Sequence, residues 1–258
     1  MSSITLLVDG YISQSFRSKD AEGYFCHLLK TNSSGLKQSC QALMMPGCSD
    51  VLFVVKTVPN AISPRSFMQG PDGGLLWLLD HSVVPTGTVV PQALWSPQNV
   101  NDFKQYVSEA PLQLPIFFIH ETGALGLSLS DAANGRCHTL REARLQAQLG
   151  GKSTTHIRIM WPGYADFRRQ VQIKDETAAK NPITVAKFAH HIGRSVEAFL
   201  RELTPNSSGS PGDHNWVIGQ GGIVPANIRI IGAIHVSAGS WMPILQLNSY
   251  VFYGHGSA

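Results

Sequence analysis

Residues 181–203, Asn-Pro-Ile-Thr-Val-Ala-Lys-Phe-Ala-His-His-Ile-Gly-Arg-Ser-Val-Glu-Ala-Phe-Leu-Arg-Glu-Leu, decide how this chain is read. Val185, Phe188, Ala189, Ile192, Val196, Phe199, Leu200 and Leu203 recur at spacings of three and four, which places them on one stripe of a helix. Asn181 is a suitable cap with Pro182 at the first helical position, and Pro205 closes the far end, so the spacing predicts a helix over 182–203. Just upstream, Thr155-His156-Ile157-Arg158-Ile159-Met160-Trp161 alternates and predicts a strand with one buried face. Downstream, Ile228–Val236 and Met242–Leu247 are apolar runs joined through Gly239 and Ser240, two further strands.

Working outward towards the N-terminus, Leu114–His120 reads as a strand that Glu121-Thr122-Gly123 turns back on Ala124–Leu129. Ser96–Glu109 and Leu140–Gln148 read as short helices, the latter closed by Gly150-Gly151. The first hundred residues read as short extended pieces, Ile4–Val8, Val51–Val55, Leu75–Leu79 and Thr86–Val90. Ser15–Lys30 between them is helix or loop. There is no regular alternation of strand and helix, so the expected class is α+β, a mixed or mainly antiparallel sheet packed by one long helix and a few short ones. Residues 1–258 are expected to form one α+β domain with a better-patterned core over 111–258. Residues 1–110 are either a strand-rich subdomain or part of the same sheet. Leu203–Asp213, rich in Pro, Ser and Gly, reads as a mobile loop.

The composition narrows the classes of function. Of 258 residues 43% are hydrophobic and only 14% charged, below the roughly 25% of an ordinary soluble domain. A net charge of +3 lacks the strong clustered excess of a polyanion binder. No apolar run reaches the roughly 18 residues of a membrane span, and the N-terminus carries no signal-peptide pattern, so the expectation is a cytoplasmic protein. The spacing of Cys26, Cys40, Cys48 and Cys137 matches no zinc motif, and no metal site or cofactor is named by the sequence. Gly151-Lys152-Ser153 resembles the end of a phosphate loop, but Gln146 stands where that loop needs glycine.

Four features carry chemistry. His156 and Arg158 share one face of their strand, leading to the rigid turn Trp161-Pro162-Gly163-Tyr164, which either offers two rings to a ligand or tucks them over the core. Arg168 and Arg169 suit a carboxylate or phosphate. Lys187, His190, Arg194 and Arg201 lie along the polar side of the long helix, beside His191 and interrupted by Glu197. Finally, His235 precedes Ser237 by two strand positions, followed by Ser240 and Trp241. A histidine near working pH beside a serine is the start of nucleophilic catalysis, for which Asp175, Asp213 or Glu121 would be the orienting carboxylate.

These segments, His156-Ile157-Arg158 with Trp161-Pro162-Gly163-Tyr164, Arg169-Gln170-Val171, Asn181-Pro182-Ile183-Thr184 and His235-Val236-Ser237-Ala238-Gly239-Ser240-Trp241, resemble a multi-paralogue family of uncharacterised proteins from mushroom-forming fungi. The resemblance covers Leu114–Leu247 and implies a fungal, cytosolic origin; it implies no activity. Two readings follow. The first is a non-enzymatic binding protein whose aromatic and basic groove, Arg158, Trp161, Tyr164, Arg168, Arg169, His190, Arg194, Ser240 and Trp241, takes a small molecule, glycan or partner protein. The alternative is a hydrolase or lyase centred on His235 or His156 with Ser237. Nucleic-acid binding through the long helix is a third.

Overall fold

A computed structural model describes residues 4–44, 50–58, 67–70, 72–203, 216–219 and 222–248. The expected loop after residue 203, with Asp213, lies outside them, as does Cys48. The chain begins with helices. Residues Leu6–Asp9 (α1), Tyr11–Phe16 (α2), Ser18–Leu29 (α3) and Ser33–Ser39 (α4) follow one another closely. This corrects the extended reading of Ile4–Val8. The Asp9 carboxylate accepts the Thr5 N–H at 2.6 Å and ties the first turn, while Leu6, Ile12 and Phe16 bury together. In α3 the buried residues Ala21, Tyr24, Phe25, Leu28 and Leu29 form a helical stripe.

Residues Gln41–Met44 (β1), Val51–Val55 (β2), Phe67–Gln69 (β3) and Leu75–His81 (β4) make an antiparallel sheet in the order β1-β2-β4-β3. Gly87–Val89 (β5) leaves it for the larger sheet. Asn99 caps Val100–Phe103 (α5), which continues as a π-helical turn to Ser108. The expected hairpin turn forms, with Ile119 bridging Leu125, His120 N–H donating to Ala124 O and Gly126 N–H to Phe118 O, while its arms Ile116–Phe117 (β6) and Leu127–Ser128 (β7) run in ladders against a later strand. Leu129–Ala133 (α6) follows.

The helix expected over Leu140–Gln148 does not form; the segment is a series of turns. Its backbone is used in tertiary pairing instead. Ala147 N–H donates to Ile183 O, while Leu145 O and Ala143 O accept from Val185 and Ala186. Those bonds outweigh a propensity worth only tenths of a kcal/mol per residue.

The site-bearing elements are Thr154–Ile159 (β8), Phe167–Gln172 (β9), Val185–Arg201 (α7), Ile228–Ser237 (β10) and Ser240–Asn248 (β11). The larger sheet runs β6-β10-β11-β8-β9, with β5 on β11 and β7 on β10; β8 is parallel to β11 and every other pair is antiparallel. Helix α7 starts three residues later than expected, because Thr184 Oγ1 accepts from Lys187 N and serves as the cap. Asn181 instead donates N–H to Asp175, and Pro182 bridges Lys174 in an extended segment.

Both faces of the β10–β11 hairpin are covered, which accounts for its continuous apolar runs. Ile230, Ala233, Trp241 and Leu245 join the core beneath α7, where Phe188, Ala189, Ile192, Val196 and Phe199 pack. Ile231, Ile234, Val236, Met242 and Ile244 join the core built by α1–α4, β2 and β4. The protein is therefore α+β, with its N-terminal helices packed on the same hairpin as the long helix. Among the described residues no helix is long and apolar enough to cross a membrane.

Candidate functional site

The β10–β11 hairpin holds His235, Ser237 and Ser240, on which the enzymatic alternative rests together with His156 of β8. His235 and Trp241 are cross-strand partners whose rings stack 4.7 Å apart and 13° from parallel. His235 is 2% exposed, and its Nδ1 accepts the Gln113 N–H at 2.9 Å. Its Nε2 and the Trp241 Nε1 are buried without partners. Burial, and then the charge of Lys152, push the imidazole down to about 3, so the ring is neutral at physiological pH.

No His–Ser pair assembles here. The ladder slips between His235 and Ser237, so the two-residue spacing does not carry one face across the bulge. Of the three expected orienting carboxylates, Asp175 is taken up in its own turn, accepting from Thr177 and Asn181.

The aromatic residues expected to face a ligand are core residues. Trp161 is 1% exposed, donates Nε1–H to Trp216 O at 2.9 Å and packs on Phe199. Trp241 is fully buried against Phe188. Tyr164 is half-buried, its hydroxyl accepts the Ile218 N–H and its ring meets the Phe199 edge. The rigid Trp-Pro-Gly-Tyr turn therefore tucks both rings over α7.

The predicted alternation of β8 holds: Thr155, Ile157 and Ile159 are buried, while His156 and Arg158 lie on the opposite face. Arg158 Nε–H donates to Ser240 Oγ at 3.0 Å, and its guanidinium lies 3.7 Å from the Trp95 ring centroid. Arg168 stands opposite Arg158 in the ladder. Burial, then Arg158, lowers the His156 imidazole. Arg158 is thus held by contacts within the fold, and Trp95 is a partner that sequence reading missed.

The remaining predicted residues converge. Arg169 on β9 and His190 and Arg194 on α7 line one depression of about 320 Å³, joined there by Gln170, Val171 and Gln172 from the strand and His191 from the helix. Three contacts fix its walls. Arg169 Nη1–H donates to Arg194 O at 2.9 Å, tying strand to helix. His190 Nδ1 lies 3.0 Å from Ala132 O; a carbonyl only accepts, so Nδ1 carries the proton. Arg194 Nη1 reaches Glu197 Oε2 at 3.3 Å across a surface where both side chains are more than 40% exposed. An exposed pair of this kind is worth at most about 1 kcal/mol and opens easily to a competing anion.

The local field is positive. His191 is pushed down to about 4 by burial first, and then by Lys187, His190 and Arg169. Two fixed guanidinium charges and two imidazoles thus line one depression, a donor-rich setting suited to an anion. Gln170 stands beside Arg168 and Arg169 in the feature read from sequence, and His191 beside the basic side of the helix; Gln172 was not singled out, and its place becomes visible only once the strand is paired. Arg168 points with the opposite set of β9 and stays outside. Among the described residues no group of three or more His, Cys, Asp or Glu could hold a metal ion. No model of a known protein family matches the chain, and neither a curated protein nor a solved structure matches it.

Proposed function

We propose that this is a cytoplasmic binding protein that takes an anionic group, carried by a small molecule or a partner, in the depression between β9 and α7. One observation carries the reading: Arg169, His190, His191 and Arg194, drawn from two elements, converge on one cavity, and Lys187, His190 and Arg169 make the field at His191 positive. The aromatic half of the expected groove plays no part, since Trp161 and Trp241 lie in the core.

Titration of the protein with inorganic sulfate tests this, with amide chemical shifts as the readout. The expected result is saturable movement at Arg169, His190, His191 and Arg194. Movement confined to His156, Arg158 and Arg168, or no saturable movement, would remove the proposal. Sulfate does not titrate near neutrality, so its pH dependence reports on the protein. An anion in the depression offsets the repulsion that lowers His191 and raises its pKa. Binding therefore takes up a proton, and affinity is expected to rise as pH falls from about 6 towards 4, the value of the free ring, by a few-fold.

A further inference from the structure

The depression has a property that a small anion does not need: it runs along an open sheet edge. Strand β9 ends the order β6-β10-β11-β8-β9, and among the described residues β8 is its sole ladder partner. Ile173 N–H donates to Ser153 O, and those two residues lie opposite each other on the extended β8–β9 register. In an antiparallel ladder the hydrogen-bonded pairs recur every second residue, so Val171, Arg169 and Phe167 direct their backbone groups to β8. Arg168, Gln170 and Gln172 therefore direct N–H and C=O outwards. His156 N–H bonding to Gly239 O, on the β11 side of β8, agrees with this phase.

Open edges in stable proteins are shielded by bulges, by brevity or by a covering element. Strand β9 runs six residues with no register shift, and α7 lies beside this edge rather than across it, since both contribute walls to the same depression. The groove is thus floored by unpaired backbone and walled by a helix carrying Arg194, His190 and His191.

We propose that β9 accepts an extended acidic segment of a partner protein as an added strand, an inference that rests on the anion-binding reading of the same depression. The outward backbone groups of Arg168, Gln170 and Gln172 supply the ladder. Charge selects the occupant. A carboxylate opposite Arg169 shares its face, with cross-strand Cβ atoms about 4.5–5.5 Å apart, and comes to lie between Arg169 and Arg194. Alternate carboxylates along the segment meet the helix wall, where Glu197 already pairs with Arg194. A basic segment would meet Arg169, Arg194 and Lys187 and be rejected.

The probe is a blocked, fluorescent peptide of alternating glutamate and valine, measured by anisotropy on the full chain beside sulfate. Gln170→Pro removes an outward N–H without touching the β8 ladder, so it is an edge substitution that the strand tolerates. It is expected to weaken the peptide by about tenfold or more, a loss well beyond any change in sulfate affinity. Should that variant fold poorly, peptides N-methylated at every second residue, in both phases, put the same question to the unaltered protein. One phase is expected to lose about tenfold. Both phases binding like the parent peptide would overturn strand addition, as would sulfate binding without any peptide binding; the anion reading survives either result. Failure of sulfate and peptide alike would overturn both.

Discussion

Two regions of this molecule present histidines beside residues of functional chemistry, and they use them differently. In the β10–β11 hairpin His235 lies flat on Trp241, takes the Gln113 N–H and is sealed from solvent. At the margin between β9 and α7, His190 and His191 line a depression with Arg169 and Arg194. In the first region, burial comes from a hairpin packed on both faces, and the ring serves as a flat, neutral core residue. In the second, the sheet ends and the helix lies beside its edge, so the same side chain stays within reach of a ligand. What a histidine can do is decided here by where it falls in the sheet, at the centre or at the margin.

The largest expected effect sharpens that comparison. Trp241→Ala empties the volume under Phe188 and beside His235, and should cost about 3–5 kcal/mol in urea unfolding. Sulfate affinity of the protein that remains folded should not change. A large loss of affinity at full occupancy of the native state would join the two regions and break the distinction.

Gly193→Ala is the next test. A Cβ there would come within 2.5 Å of Ala133 N and 2.6 Å of Ala132 C, backbone that α7 presses against. Overpacking should cost about 1–3 kcal/mol. Because Ala132 O also holds His190, this substitution should weaken sulfate binding as well, the one core change expected to do so.

Acidification discriminates next. Burial lowers His81 to about 4 and His235 to about 3, from an ordinary value of 6.5. Groups depressed on folding contribute stability that is intact above 6.5 and is lost as pH falls through the folded values, because the unfolded chain then binds more protons. Unfolding free energy should therefore drop between about pH 6.5 and 4. His81 has both ring nitrogens buried without partners and meets Phe117 edge-on at 4.7 Å. His81→Phe should accordingly raise stability at pH 7 by about 1 kcal/mol and flatten the acid loss. A destabilised His81→Phe protein would show that the ring has a polar partner.

Much of this fold is legible in the sequence where one periodicity governs a long segment. The apolar spacing of α7 and the alternation of β8 both translate directly into buried faces. Helix α3 carries an equally clear stripe, Ala21, Tyr24, Phe25, Leu28 and Leu29, obscured by the polar residues between them. The turns over 140–148 are not legible, because the bonds that prevent a helix come from residues 183–186. The same holds for the site. Arg169 and Arg194 are singled out as members of two separate features, and the bond between them spans 25 positions. That β9 is an edge, and that its outer backbone is free for a ladder, follows only from sheet order. Trp161 and Trp241 mislead for the converse reason: a turn composition says nothing of what packs above it.

The smallest expected effect on stability accompanies the most direct test. Arg169→Ala with Arg194→Ala removes two partly exposed cations, and stability should stay within about 0.5 kcal/mol of the parent, apart from the Arg169–Arg194 backbone bond. The central claim is that the margin binds anions and the hairpin interior does not. Sulfate titration of this double variant beside a His235→Gln variant puts both halves to the test in one experiment. The account predicts that saturable binding is lost in the double variant and retained in the folded His235→Gln protein. Retained binding in the double variant, or loss confined to His235→Gln, would contradict it.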